Sequence, residues 1–429
     1  MGGKKLTSPL SSWKKILIDE KIDRYLNIIG ALSIEGPKWC GKTWTALNHA
    51  NTVYYLDDEQ TKMLANVDIS KILSGKDPIL VDEWFEVPKV WDAVRRKCDE
   101  LGKPGNFILT GSTKLTSEEF RKEIFHSGAG RIGKIKMYPM SLYESGESSG
   151  KASLMDMYNG VLKTDWNDKI TIDKLAYFIV RGGWPQNINI SEKDISVLPK
   201  LYINNIVDND INKDKNRNKT KMLSLLKSLA RNESSICSNN TLLNDIEEFD
   251  NTNMLESKST LSDYLDALTR LYVIENQEPY SSNYRSPKRL SKGVKRHLVD
   301  PSLACAVLNI TVDKLLSDLN TFGLFFESLV ERDLKIYIET LDGNLYHFRD
   351  SVTGLEVDSI LEFPDGEYAA IEIKLGANSI DEAIKNLVKF SDNMIKKPKF
   401  MCVIVGNSEA ILRDSNTGIY VVPFTALKP

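Results

Sequence analysis

The 429-residue chain is poor in cysteine and histidine, with five of the first and four of the second. Cys40, Cys98, Cys237, Cys305 and Cys402 are scattered, odd in number and never spaced as CxxC. That pattern argues against a disulfide framework and against a structural zinc site. Four scattered histidines argue equally against metal ligation by imidazole. There is no excess of positive charge: 56 Lys and Arg against 59 Asp and Glu give a formal net charge of −3. Any contact with nucleic acid must therefore come from a local patch rather than from the chain as a whole. No run of 18 apolar residues occurs, so no membrane span is expected. The opening stretch MGGKKLTSPLSSWKK lacks the apolar segment of a signal peptide, and Leu6 stands where a myristoylation signal carries Ser or Thr. The cytoplasm is the expected compartment.

What is present is ordinary for a globular protein: 41% hydrophobic and 27% charged residues. At roughly 100–200 residues per domain the length predicts two to four domains. Between residues 30 and 140 short apolar segments (ALSIEG, TVYYLDD, DPILVDE, NFILTGS, KIKMYPM) alternate with helical ones such as VPKVWDAVRRKCDELG. Alternation of this kind predicts a mostly parallel sheet covered on both faces. The polar stretch ESGESSGKAS at 144–153 reads as a loop or linker. A mostly helical segment follows, with a turn at RGGWP (181–185) and a basic run at 211–221. Several short helices and a hairpin pattern then occupy 222–310, which is the order of a winged helix. From 311 a long helix, GLFFESLVERDLKIYIETL, precedes LYHFRD, LEVDSILEF, YAAIEIKLG, a further helix and KFMCVIVG, an α/β pattern with an antiparallel start.

The first chemical motif is Gly36-Pro37-Lys38-Trp39-Cys40-Gly41-Lys42-Thr43, followed by Trp44. It fits G-x-x-x-x-G-K-[ST] and lies between a strand and a helix, the context that a phosphate-binding loop requires. Gly36 and Gly41 allow backbone N–H groups to turn inward around phosphates, and the following helix N-terminus adds partial positive charge. Lys42 is expected to reach the β- and γ-phosphates of ATP, and the Thr43 hydroxyl to ligate magnesium. The strand PILVDE ends in Asp82 and Glu83, which places acids beside the phosphates: Asp82 for the metal, Glu83 to polarise the attacking water. The strand NFILTGS ends in Thr110 and Ser112, either of which would sense the γ-phosphate. Arg131, in GAGRIGK, is either an arginine finger acting within or between subunits of a homo-oligomer or a plain surface arginine.

The second motif is an acidic cluster. Glu372 and Lys374 share one face of a strand because they are two residues apart, and the turn FPDGE returns them towards Asp358 on the preceding strand. Glu327, on the long helix, is expected to approach from the side. Carboxylates gathered in this way form a hard-oxygen magnesium site, and a neighbouring lysine orients water or stabilises a pentavalent phosphate. The plain alternative is a set of solvent-facing charges on an edge hairpin.

The chain resembles a prokaryotic family of P-loop ATPases that pairs an AAA-type N-terminal domain with a C-terminal domain catalogued as DUF4143. The resemblance rests on GPKWCGKT, ILVDEW, FILTGST, Gly130-Arg131 followed by YPMSLYE, RGGWP, FFESLVERDL, GLEVDSILE and IEIKLG. It implies an α/β P-loop domain over 1–145 and a helical linker or lid over 146–220. It further implies a winged-helix-like domain over 221–310 and a PD-(D/E)xK nuclease-like α/β domain over 311–429. In that last domain Glu327, Asp358, Glu372 and Lys374 match the motif. Trp39-Cys40 departs from the small or polar pair usual in the loop. Arg285, Lys288, Arg289, Lys292, Lys295 and Arg296, with no acid between 285 and 296, make the hairpin a candidate DNA contact. Two functions fit: an ATPase coupled to DNA binding and cleavage, or a nucleotide-regulated switch whose nuclease-like domain only holds a partner.

Overall fold

The computed structural model describes residues 16–114, 124, 126–212, 217–250, 258–281, 293–350 and 352–429. Arg285, Lys288, Arg289 and Lys292 of the basic hairpin lie outside those residues, as do 213–216 of the basic run. The chain forms two compact units. One comprises Met1–Pro139 with Ala267–Val273, the other Met140–Asp266 with Ile274–Pro429.

In the N-terminal unit, β1 (Ala31–Glu35), β2 (Thr52–Tyr55), β3 (Ile79–Asp82), β4 (Phe107–Gly111) and β5 (Ile132–Lys136) form a five-stranded sheet. Its order is β2-β3-β4-β1-β5, and every pairing is parallel. All residues of β3 and β4 are buried, as expected of parallel strands covered on both faces. The helix Val90–Leu101 buries Val90, Trp91, Val94 and Cys98, a stripe of helical period. It stops at Gly102, whose φ of 60° is the left-handed conformation that glycine adopts without steric cost. Each fully buried aliphatic side chain in this layer contributes about 1.5–3 kcal/mol.

The second unit contains β6 (Ala152–Ser153), β7 (Asp165–Trp166), β8 (Ser235–Ile236), β9 (Ile274–Pro279), β10 (Lys295–Leu298), β11 (Asn344–Arg349), β12 (Glu356–Glu362), β13 (Tyr368–Gly376), β14 (Phe400–Asn407), β15 (Ala410–Arg413), β16 (Tyr420–Pro423) and β17 (Leu427–Lys428). Ten of them form one sheet, ordered β7-β15-β16-β14-β13-β12-β11-β9-β10-β8. Helices Lys219–Arg231, Asn239–Asp250 and Lys258–Arg270 alternate with β8 and precede the β9–β10 hairpin pair. Further on, helix Leu319–Thr340, β11, β12, β13, helix Ile380–Asn393 and β14 follow in succession. The pairings β11–β12 and β12–β13 are antiparallel, and β13–β14 is parallel.

The stretch 144–153 is not a free linker. Ala152 and Ser153 pair with Leu427 and Lys428, Ser148 Oγ donates to Leu427 O at 2.5 Å and Ser149 Oγ to Asn167 Oδ1 at 2.7 Å. Short hydroxyl side chains satisfy backbone and amide groups inside the fold here, and a polar composition alone does not reveal that use.

RGGWP and the segments around it form a buried polar joint of the second unit. Arg181 is paired with Glu147, Gly183 N–H donates to Asp300 Oδ2 at 2.9 Å, and Trp184 Nε1 donates to Ser302 Oγ at 2.9 Å. Arg332 bridges Asp300 at 2.8 Å and Asp333 at 2.6 Å, and Asp333 also accepts the Leu142 N–H at 2.8 Å. Every one of these charges has a partner, as burial demands. The motif therefore holds elements together within this unit.

Candidate functional site

The glycine loop expected to cradle phosphates begins where β1 ends. A Cβ at Gly36 would stand 2.2 Å from Met137 O, so the loop passes too close to the backbone after β5 for any other residue. Trp39 and Gly41 both adopt positive φ, at 62° and 103°, and helix Lys42–His49 starts at once. The Lys42 ammonium is buried and donates to Pro37 O at 2.7 Å, across the loop's own ring. Cys40 is buried, and burial pushes its thiol pKa up. Trp44 is 43% exposed.

The sheet order decides how the acids meet this loop. Because β4 is inserted between β1 and β3, Thr110 stands between the cradle strand and the strand that carries Asp82. Thr43 Oγ1 donates to Asp82 Oδ1 at 2.9 Å, and Thr110 Oγ1 donates to the same oxygen. Two hard oxygen donors, a hydroxyl and a carboxylate, thus lie side by side at the helix N-terminus, a donor set suited to magnesium. Glu83 adopts φ 53°; its N–H donates to Thr110 Oγ1 at 3.3 Å, and its carboxylate accepts from Ser112 Oγ at 3.2 Å. Burial raises the pKa of both Asp82 and Glu83. The hydroxyls of Thr110 and Thr43 oppose that shift at Asp82, and the Lys42 charge opposes it at Glu83.

Arg131 does not join this site within its own chain. It precedes β5, and Ile132 pairs with Ala31 at the start of β1, whereas the cradle follows Glu35 at the other end. Its Nε donates to Asp99 Oδ1 at 2.7 Å. Parallel pairing of β1 with β5 sets Arg131 beside the start of β1, at the opposite end of the strands from the loop, so it is not placed for a within-chain arginine finger.

Residues that sequence reasoning passed over surround the start of the cradle. Glu35 accepts from Tyr272 at 2.7 Å and pairs with Lys134 at 3.0 Å. No motif pointed to Tyr272, which is 237 residues away in sequence.

In the second unit Lys374 Nζ lies 2.7 Å from Glu372 and 3.5 Å from Asp358. Asp358 also accepts the Ile373 N–H at 2.7 Å, and Asn386 donates to Glu372 Oε1 at 2.7 Å. Burial first, and the charge of Asp358 second, raise the Glu372 pKa to about 7. Glu327 stands close enough to Asp358 for that charge to raise its pKa, after burial, and it accepts from Lys295, which also donates to Glu331 Oε1 at 2.7 Å. Glu331 further contacts Ser359 Oγ at 3.2 Å and His297 Nε2 at 3.4 Å. Lys295 and Glu331 are 3% and 2% exposed. Among the described residues no three His, Cys, Asp or Glu side chains are gathered so as to hold a metal ion. The expected set of Glu327, Asp358 and Glu372 is instead interleaved with two ammonium groups. Glu327 and Glu331 stand four apart on one helix face, so this spacing was the available signal for the pair.

The expectation of a solvent-facing basic wing also needs correction. Lys295 is buried in the pairs just described, and Arg296 donates to Cys237 O and, at 2.8 Å, to Asn239 Oδ1. β10 lies between β9 and β8.

Residues 30–146 match the family described as AAA domain, 172–314 a domain of unknown function (DUF8612) and 322–427 a domain of unknown function (DUF4143). Among solved structures the chain is similar to the Walker-type ATPase PABY2304 of Pyrococcus abyssi: 12% identity, 71% of this chain and 98% of that one, TM-score 0.45. It is similar also to the ORC2 protein of Aeropyrum pernix, with 13% identity, 70% and 94% coverage and TM-score 0.31. A third is the replication initiator DnaA bound to AMPPCP and single-stranded DNA, with 13% identity, 60% and 89% coverage and TM-score 0.26. No curated protein matches the chain. Among the described residues no helix is long and apolar enough to cross a membrane. The N-terminal unit is an α/β domain with a five-stranded parallel sheet like that of P-loop NTPases, and residues 30–146 of it carry the AAA-domain match.

Proposed function

We propose that the N-terminal unit binds ATP with magnesium at Gly36–Thr43 and hydrolyses it. The observation that carries this reading is the 2.9 Å contact between Thr43 Oγ1 and Asp82 Oδ1 beneath the glycine loop. These two oxygens would hold the magnesium ion, which would neutralise charge on the phosphates. Lys42 supplies a cation at the β- and γ-phosphates. Glu83, held by Ser112, orients and polarises the attacking water as general base. Phosphate release from ATP, measured for the wild type and for Lys42→Ala, tests the assignment: the variant loses turnover, and normal turnover in it sinks the cradle.

The order helix, strand, helix, helix, hairpin from Lys219 to Leu298 supports a winged helix, and with it the DNA-binding reading. Since Lys295 and Arg296 are engaged inside the unit, the backbone contact would fall to Arg285, Lys288, Arg289 and Lys292. The succession from Leu319 to Asn407, with the acid on β12 and the Glu-x-Lys on β13, supports a PD-(D/E)xK-like domain. Asp358, Glu372 and Lys374 would then carry magnesium-dependent cleavage.

Lys295 favours a second reading of that cluster. An ammonium already buried between Glu327 and Glu331 makes the acids a neutralised joint between β10 and the long helix, in a domain that holds a partner. Incubation of labelled DNA and RNA with the protein, with and without magnesium and ATP, separates the two. Cleavage that disappears in Asp358→Ala and Lys374→Ala supports the nuclease. No cleavage by the wild type leaves the joint.

A further inference from the structure

The helix that begins at the glycine loop ends on His49, and both ring nitrogens of that residue meet carboxylates of helix Ile18–Leu26. Nε2 lies 2.9 Å from Asp19 Oδ1, and Nδ1 lies 2.7 Å from Asp23 Oδ1. The two acids are four residues apart and so share one face of their helix. Asp19 is buried, and its other oxygen accepts the Ile16 N–H at 2.8 Å. The His49 side chain is only 10% exposed. Helix Lys42–His49 packs also on β1, β3 and β4. The acids of β1 and β3, Glu35 and Asp82, stand at the loop end of this helix, away from His49, and β4 carries no charged residue. At the His49 end the Asn51 N–H donates to Pro78 O at 2.8 Å, and the charges beside it, Asp77 and Lys103, pair with each other at 2.8 Å. Asp19 and Asp23 are thus the charges that face the ring, and the partial negative charge at the helix C-terminus adds to theirs.

We propose that His49 is a pH-sensitive clamp: as an imidazolium it fastens helix Ile18–Leu26 to the helix that begins at the glycine loop, and on losing a proton it loosens that hold. A neutral imidazole donates from one nitrogen only, so both bonds are made at once only by the protonated ring. The neutral ring turns a lone pair towards one of the two carboxylates instead. Burial of the ring works against the charge, but the bond to Asp19 and the charges of Asp23 and Asp19 outweigh it and raise the His49 pKa. The contribution of the clamp is therefore complete below the free-imidazole value of roughly 6.5 and is lost as pH rises through the raised value of the folded chain. Ile22 and Leu26, buried on the same helix, keep it seated, so the proton sets how firmly it is held rather than whether it folds. The clamp does not depend on the ATPase reading.

The test uses the full-length protein with carbon-13-labelled histidine, whose four ring signals are followed by NMR against pH; the His49 signal is the one missing from His49→Gln. Its midpoint lies above roughly 6.5, and Asp23→Asn and Asp19→Asn each move it down towards that value. Asp23 is exposed, so its replacement leaves the fold intact. Hydrogen exchange of residues 18–26, corrected for the intrinsic rate at each pH, gives the second readout. Protection in the wild type falls between about pH 6 and about pH 9, by about tenfold for each unit by which the His49 midpoint exceeds roughly 6.5. In His49→Gln it is the same at both. A His49 midpoint at or below roughly 6.5 overturns the proposal, as does one that neither Asn replacement moves. So does wild-type protection that is equal at the two pH values, or a fall that persists in His49→Gln.

Discussion

Tyr272 donates its phenolic proton to Glu35 Oε2 at 2.7 Å, and Glu35 is the residue before the first glycine of the cradle. Tyr272 holds a positive φ of 56°, an uncommon conformation for an aromatic residue. Burial, reinforced by the Glu35 charge, drives its pKa well above the usual phenol range. Lys114 lies 4.9 Å from the centre of the same ring, and its N–H donates to Arg270 O at 3.0 Å. Lys114 stands two residues after Ser112. The segment Ala267–Val273 is thus tied to the ends of β1 and β4, the strands that carry the cradle and the Ser112 hydroxyl.

Tyr272→Phe removes this hydrogen bond and leaves the partly buried Glu35 with Lys134 and Ser33. A loss of about 1–3 kcal/mol in stability is expected, read from the urea midpoint of the full chain. Tyr272→Ala costs more, because the ring beneath Lys114 is lost as well.

With Glu83 as the proposed general base, Glu83→Gln is expected to lower kcat for ATP at least about a hundredfold while KM changes little, since that role acts on water rather than on binding. Burial raises the Glu83 pKa, and in the proposed role Glu83 works only when ionised. Wild-type turnover therefore falls as pH drops through a value above the ordinary carboxylate range. A pH profile of steady-state rates checks this, and the acid limb is absent from the residual activity of the variant.

Lys295→Met leaves the buried Glu331 and the half-buried Glu327 without this cation. Breaking a buried pair from one side costs about 3–5 kcal/mol, so a large fall in the thermal midpoint is expected. The triple change Lys295→Met, Glu327→Gln, Glu331→Gln removes the charges together and recovers most of it.

Glu372 has its pKa raised to about 7, above the value of roughly 4.3 in an unfolded chain. A raised carboxyl favours the folded state below the unfolded value, and that contribution is lost as pH climbs to the folded one. Glu372→Gln keeps the hydrogen-bonding outline without the charge. Its stability relative to wild type is expected to improve from pH 5 to pH 8, which melting curves at both values measure.

The cradle and the acids at the end of β3 were legible in the sequence because their information is local. Eight consecutive residues set a loop, and an apolar run ending in Asp82-Glu83 sets a buried strand with acids at its end. Strand parity likewise put Glu372 and Lys374 on one face, and one turn returned them to Asp358. Three other relations depend on which distant segments become neighbours, which no local pattern encodes. Insertion of β4 between β1 and β3 put Thr110 onto Asp82. Parallel pairing of β5 with β1 set Arg131 at the opposite end of these strands from the glycine loop. Docking of β10 against the long helix turned Lys295 from a candidate DNA contact into the buried counter-charge of Glu327 and Glu331. The sequence by itself determined the glycine loop between β1 and the helix that follows it, through backbone geometry. Only the tertiary structure decided which charges stand near one another, because Coulomb and hydrogen-bond energies follow distance in space rather than separation along the chain.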